Sequence, residues 1–465
     1  MILAYFILSI ALIGFMFRTT KTKTIFSLTG LYLILQTLFF VYTIFHKNET
    51  EFGIFKYDSL GILFSATLLL VSIACFLHSI RYLDEENTNQ IRLYNIAFIS
   101  LCLSLTGVYF SNNITATWVL IEATTLGSSL LIYHRRTEKA IEAAWKYVFV
   151  CSLGILIAYL GILFLSTMLK NQHNANMSFE HLKETIQMAN PLYLKLAFVF
   201  IITGYSCKME FFPLYPIGID ANHATPSPMS AFFSTVMVNM GFISIFRIYK
   251  IFVDTDIFIW IQNVMLIAGI ATLFIAAIYI SQVKHCKRLF AYSTVENMGI
   301  VLLILSTGKA GMVYAIFHML MHSLVKSTAF MRLSIIGKTF KSYNLSNMGG
   351  YWNISGAGSI ILILCLLGLT AIPPSSLFIS EMYLFSTISS RMILFIVFVL
   401  LICFILYSLC SKFLRILYSQ KPNNITPSPE NKLLLAVQFS LLALFFFMGL
   451  YQPEWLMTLL HECVN

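Results

Sequence analysis

Charge is what this 465-residue chain has least of. Only 11% of its residues are Asp, Glu, Lys or Arg, against 58% hydrophobic ones, whereas a soluble domain carries about 25% charged residues. With a mean hydropathy of +0.81, that scarcity excludes a soluble protein with one anchor. The nine cysteines include no CxxC pair, which argues against a metal cluster or disulfide framework. Most fall inside apolar runs, where a thiol serves as a small hydrophobe. No GxGxxG following a strand and no P-loop occurs, so no nucleotide site is expected. No basic stretch precedes the first apolar run and no small-residue cleavage site follows it, so a cleavable signal peptide is not expected. A separate soluble domain is also missing. The longest polar stretch, Asn171 to Asn190, reads as a modest loop.

What the chain does have is long apolar runs. A spanning helix needs about 20 mostly apolar residues. About fourteen candidates can be counted, near 2–17, 25–45, 59–78, 93–110, 115–134, 145–168, 191–212, 230–252, 257–280, 288–306, 311–337, 357–388, 392–418 and 432–451. Barrel strands would alternate over about ten residues; these runs are continuous, so the expected fold is an all-α integral membrane protein. The net charge of +10 reflects orientation rather than nucleic-acid binding. Lys and Arg crowd the odd-numbered loops: Arg18, Lys21 and Lys23; Arg135, Arg136 and Lys139; Lys284, Lys287 and Arg288; Lys338 and Lys341; Lys412, Arg415 and Lys421. Cytoplasmic loops carry the excess of Lys and Arg. A multi-pass protein of the cell inner (plasma) membrane with both termini outside is therefore expected.

Several ionisable residues lie inside these runs, away from their ends. A charge at the bilayer centre costs about 2.5–3.5 kcal/mol on insertion scales and usually marks a pathway for ions or protons. Two spans also look broken. One carries Gly204, Lys208 and Pro213; the other carries Pro373 and Pro374 followed by Glu381. Paired broken helices, one in each half, point to inverted repeats and a polar site near the midplane; the plainer reading of each is a proline kink. His318, His322 and Lys326 recur at i, i+4, i+8, on one helix face, where neutral imidazoles can relay a proton. The plainer reading is a ladder that ties helices together. For Lys208 the expected partner is Glu122, because Glu210, at i+2, points elsewhere around a helix. A permanent structural ion pair is the alternative. Glu381 is expected as the exit group of the relay. Glu296 lies about two turns from the basic loop and is either part of the path or paired with Lys287 or Arg288. Arg247, Lys250 and Arg332 lie toward span ends and are expected to snorkel.

Several blocks, taken together, resemble the antiporter-like membrane subunits of respiratory complex I, multisubunit sodium/proton antiporters and membrane-bound hydrogenases. They are Lys208 through Pro213; Asp220-Ala221-Asn222-His223-Ala224-Thr225-Pro226-Ser227-Pro228-Met229-Ser230-Ala231; Lys287-Arg288-Leu289-Phe290-Ala291-Tyr292-Ser293; Phe317-His318 through Lys326; and Ile372-Pro373-Pro374 through Glu381. Glu122 through Leu126, Glu142 through Tyr147, Val295 through Gly299 and His322 through Ser327 are similar to the hydrogenase-4 component F branch. The resemblance implies a fourteen-helix core with two inverted five-helix repeats. It divides the chain into flanking spans at 1–90, a first half-channel at 91–252, a second at 257–418 and a last span at 430–465. It further implies an ion pair between Glu122 and Lys208, a central axis of His318, His322 and Lys326, and Glu381 in the second half-channel. Asn239 stands where many relatives place lysine or histidine. Asn222 stands where the family usually has histidine, and Ala224 where it has an acidic residue. The long lateral helix of the distal complex I subunit is not expected.

The leading expectation is a proton-translocating, non-redox subunit of a hydrogenase-4-like or complex I-like respiratory complex. It would carry no cofactor, its nickel–iron and iron–sulfur centres residing in partner membrane and peripheral subunits. The alternatives are a secondary cation/proton antiporter, a membrane partner of an inorganic carbon uptake system, and a structural anchor with vestigial charges.

Overall fold

The computed structural model describes residues 1–84, 86–167, 176–420 and 430–465. Lys421, most of the 420–431 connection and the start of the polar stretch at Asn171 lie outside the described residues. The chain is a bundle of helices. The first six are α1 (Ile2–Arg18), α2 (Thr22–Phe45), α3 (Ser59–Tyr82), α4 (Thr88–Phe110), α5 (Ile114–Tyr133) and α6 (Glu138–Thr167). A surface helix, α7 (Phe179–Thr185), leads into α8 (Pro191–Met209), α9 (Pro216–Ala224) and α10 (Ser227–Ile251). Then come α11 (Phe258–Gln282), α12 (Cys286–Ser306) and the 32-residue α13 (Lys309–Phe340). The chain closes with α14 (Gly356–Leu369), α15 (Ser376–Ile388), α16 (Met392–Tyr418), α17 (Lys432–Leu450) and α18 (Glu454–Val464). Among the described residues eleven helices are long and apolar enough to cross a membrane, and α1, α14 and α15 are shorter apolar helices. Apart from isolated bridges, β structure among the described residues is one antiparallel pair, Thr50–Glu51 with Phe55–Lys56.

Helix starts follow local chemistry. Side chains of Asp58, Asn113, Asn190 and Asn431 accept from backbone amides that the first turn leaves free. Asn87 and Gln90 form a reciprocal capping box at α4.

Both expected breaks are present. Helix α8 stops because Glu210 turns left-handed at φ 58, and Pro213 and Pro216 then withhold two amide donors. Freed groups find partners inside the protein: Phe212 N donates to Thr272 Oγ1 at 3.2 Å and Leu214 N to Ser206 Oγ at 3.3 Å. The run expected at 357–388 is two helices, parted where Ala371 is left-handed and Pro373 and Pro374 follow. Non-helical backbone at membrane depth is tolerated only when satisfied in this way.

Burial sorts the helices. The most apolar window of α10 is 100% buried, whereas that of α16 is 22% buried. Helices α10, α12 and α13 are interior, and α2, α16 and α17 face outward. Glycines allow close approach where polar groups must meet. A β-carbon on Gly204 of α8 would lie 2.3 Å from Gly154 O of α6, and one on Gly241 of α10 would lie 2.6 Å from Met209 N.

The loops segregate into two ends. At one, the N-terminal amine pairs with Glu51 at 2.7 Å, Lys47 pairs with Glu462, and Lys56 with Glu180. At the other, Arg92 reaches Phe17 O at 3.3 Å, His134 meets Glu86 at 2.5 Å, and His285 bridges Asn344. The odd-numbered, Lys- and Arg-rich loops therefore gather at a single end.

The span-end cations do not snorkel. Arg332 is 0% exposed because α17 and the turn at 351–355 cover its end of α13. It donates to Gln438 Oε1 at 2.6 and 2.9 Å and to Glu430 Oε1 at 2.8 Å. Arg247 donates to Asp58 Oδ1 at 3.0 Å and Tyr109 O at 2.7 Å, and Lys250 to Cys463 O at 2.9 Å. Removing one partner of a buried pair costs about 3–5 kcal/mol. Arg332→Met should lower the detergent-solubilised protein's melting temperature, and adding Glu430→Gln should recover part of the loss. Unchanged unfolding in Arg332→Met would contradict this account of the α13 end.

Candidate functional site

The ionisable residues converge on the interior helices. Lys208, at the last turn of α8, is 3% exposed. Its Nζ donates to Thr125 Oγ1 of α5 at 2.8 Å and to Tyr147 OH of α6 at 3.2 Å, and sits 4.9 Å above the Tyr147 ring. Glu122 instead accepts from Ser152 Oγ at 2.6 Å, and its Oε2 is buried without a partner. No ion pair within 4.0 Å joins Glu122 to Lys208 among the described residues, which corrects the expected direct pairing. The ammonium is engaged one helical turn along α5, at Thr125, because residues i and i+3 share a face. Thr125 and Tyr147 lie within the motif blocks around Glu122 and Glu142, yet sequence reasoning gave them no role. Nothing about a lone threonine or tyrosine marks it as a lysine's partner.

The row His318, His322 and Lys326 runs along α13, each residue 0% exposed. Its opposite wall is α12, where Ser293, Glu296 and Asn297 share a face. Asn297 Nδ2 donates to Ser293 O at 2.7 Å, so its Oδ1, 3.1 Å away, faces His318 Nε2 as an acceptor. That fixes a proton on Nε2. His318 Nδ1 lies 2.8 Å from Ser380 Oγ of α15, and that hydroxyl is also 2.9 Å from Leu377 O. The hydroxyl donates either to a neutral His318 or, when Nδ1 carries a proton, to Leu377 O. The geometry therefore serves both protonation states. Lys326 Nζ donates to Phe290 O at 2.6 Å and to Ser293 Oγ. Both nitrogens of His322 lack a protein partner, which leaves them free for water.

Glu296 is buried, with Oε2 unpartnered. Its alternative pairing does not form. Lys287 donates to Thr225 O at 2.6 Å, and Arg288 pairs with Asp220 at 2.9 Å. Glu381 is buried on α15, directly after Ser380. The position expected to be weak, Asn239, is bridged: its Nδ2 donates to Ser323 Oγ at 2.8 Å, and Ser323 Oγ lies 3.2 Å from its Oδ1. Asn239 lies in α10 just beyond a widened π turn, Phe233–Met237, a feature common at functional sites. Glu210, set aside on helical spacing, is also buried. As the spacing indicated, it does not pair with Lys208; it is left-handed, already outside α8, and accepts from Asn222 instead.

The chain is similar to known membrane proteins. The family model described as "NADH:quinone oxidoreductase/Mrp antiporter, TM" matches residues 111–406. A hydrogenase-4 component F homolog of Methylacidiphilum infernorum is 29% identical over 77% of this chain and 78% of its own length. The Na(+)/H(+) antiporter subunit A1 of Staphylococcus aureus is 26% identical over 82% of this chain, which spans only 47% of that relative. Among solved structures, a chain of the archaeal membrane-bound sulfane sulfur reductase superposes with a TM-score of 0.85 at 21% identity, covering 100% of this chain and 96% of that one.

At the basic end, outside the spans, His223 and His285 meet edge to face with centroids 4.4 Å apart. Burial, then Arg288 and Lys287, pushes His223 down to about 4. Burial, then His223, Lys287 and Arg288, pushes His285 down to about 3. An unfolded histidine titrates near 6.5. Both rings are therefore neutral in the fold, and as pH falls below about 6.5 the unfolded chain gains protons that the folded chain refuses. Stability should fall as pH drops from about 6.5 toward 4, and the fall should be shallower in a His223→Gln/His285→Gln variant. Melting curves against pH would show it; identical slopes would refute the assignment.

Proposed function

This chain belongs to the NADH:quinone oxidoreductase/Mrp antiporter transmembrane family, and on that premise we propose that it is the proton-translocating subunit of a hydrogenase-4-like or complex I-like respiratory complex. The observation that carries the reading is the buried row on α13. Lys326 is held by a carbonyl and a hydroxyl, with no carboxylate in contact among the described residues, so the site does not lock the ammonium as a permanent ion pair would. A lysine held in this way can release and regain a proton as nearby charge changes.

The proposed sequence starts with redox chemistry in partner subunits, which would hold the nickel–iron and iron–sulfur centres. That chemistry shifts the field at Glu122 and Lys208. Lys208 responds through its Thr125 and Tyr147 contacts, and the change reaches the α13 row across Asn239 and Ser323. His322, open to water, passes protons between Lys326 and His318, and Glu296 and Glu381 receive them on the outward side. The first half-channel is 91–252, around the break after Met209. The second is 257–418, around the break after Leu369.

A cation/proton antiporter is the second reading, favoured by the similarity to an antiporter subunit A1. Sodium is best held by clustered hard oxygen ligands, whereas this axis is filled by lysine and imidazole, so protons are the preferred cargo.

Lys208→Ala and Lys326→Ala should each abolish most proton uptake by vesicles containing the assembled complex while the partner subunits remain bound. Full coupling in either variant would sink the mechanism, and dependence of uptake on sodium would favour the antiporter. We also place the basic end in the cytoplasm of a plasma-membrane protein. Cysteine-tagged termini should then react with an impermeant thiol reagent from outside intact cells; labelling only after permeabilisation would reverse the orientation.

A further inference from the structure

One buried carboxylate has no part in the proposed sequence. Glu210 occupies the residue after α8 at φ 58 and ψ 45. That left-handed cap is where helices normally place glycine, because a β-carbon is strained there. The position is thus occupied against backbone preference, as happens where a side chain has a task. The side chain turns inward and is 4% exposed. Its Oε1 accepts from Asn222 Nδ2 of α9 at 3.2 Å, and its Oε2 is buried without a partner, as is Asn222 Oδ1. Space for the carboxylate exists only because residue 218 is glycine: a β-carbon there would lie 2.3 Å from Glu210 Oε1. Gly218 and Asn222, at i and i+4, form one face of α9 shaped around this group.

The arrangement links two regions. Asn222 is followed by His223, which meets His285 at the basic end. In the other direction, α9 packs against α12, the helix whose Phe290 carbonyl and Ser293 hydroxyl hold Lys326. We propose that Glu210 is a proton-relay group that loads Lys326 from the basic end of the molecule. This deepens, and rests on, the proton-translocating reading above. In the step, hydronium in the solution at the basic end hands a proton along water beside Asn222 to the Glu210 carboxylate, leaving water behind. The resulting carboxylic acid gives that proton to the neutral Lys326 amine through intervening water, leaving Lys326 as ammonium and Glu210 again as carboxylate.

Three variants test this in vesicles containing the assembled complex, with Lys326→Ala as reference. Glu210→Gln keeps the shape and removes the proton site. Glu210→Gly relieves the backbone strain, and Glu210→Asp retains a carboxyl. Glu210→Gln and Glu210→Gly should each slow proton uptake by about tenfold or more, the scale of a lost proton-transfer group. Glu210→Gly should melt no lower than the unsubstituted protein, and Glu210→Asp should recover part of the rate. Uptake at the unsubstituted rate in Glu210→Gln or Glu210→Gly overturns the relay. If Lys326→Ala also pumps at that rate, the proton-translocating reading falls with it; if Lys326→Ala is inactive, only the role of Glu210 is lost.

Discussion

The interior of this protein is governed by the cost of holding ammonium and imidazole groups where bulk water cannot reach them. A fixed counterion would satisfy a buried lysine and also immobilise its proton. Here Lys208 is given a threonine hydroxyl and a tyrosine, and Lys326 a carbonyl and a serine. These acceptors stabilise the ammonium by hydrogen bonding without neutralising it. Among the described residues no carboxylate bonds directly to either ammonium. Fixed ion pairs are found elsewhere, at the helix ends, where Arg332 with Glu430 and Arg247 with Asp58 hold the bundle together. Structure-holding charges and mobile-proton groups thus follow opposite rules in one fold.

The architecture follows from that division. Helices facing outward are apolar over most of their surface, and the groups that need solvation, from Lys208 on α8 through the α12 and α13 row to Glu381 on α15, point into the interior. The two broken helices bring non-helical backbone to the same interior, each beside an ionisable residue. Glycines at 204 and 241 let α6, α8 and α10 approach closely enough for side chains from three helices to meet at Lys208.

Much of this was legible in the sequence. The multi-span helical class, both breaks and the His318–His322–Lys326 row follow from run length, proline position and helical period, which are local properties. The partners were not legible. Thr125, Tyr147, Ser293, Asn297 and Ser380 are ordinary residues whose roles come from which helix packs against which. Glu122 was matched to Lys208 by charge and by resemblance, whereas the fold offers the lysine a hydroxyl one turn away. Glu210 was rightly set aside as the partner of Lys208, but its contact with Asn222 of α9 depends on a turn that helical spacing does not describe. Arg332 was expected to reach lipid headgroups because its place in the run was visible and the helices covering it were not.

The reciprocal contact between Asn239 and Ser323 separates the two halves of the site. Neither side chain can hold an excess proton at ordinary pH, though both are polarisable and lie in a region of weak screening. In electrical language the contact is a dielectric between two plates, Lys208 on one side and the α13 row on the other. It transmits a field and stores no charge. A positive charge on one plate would therefore raise the cost of a positive charge on the other. A lysine or histidine at 239 would turn the gap into a third storage site.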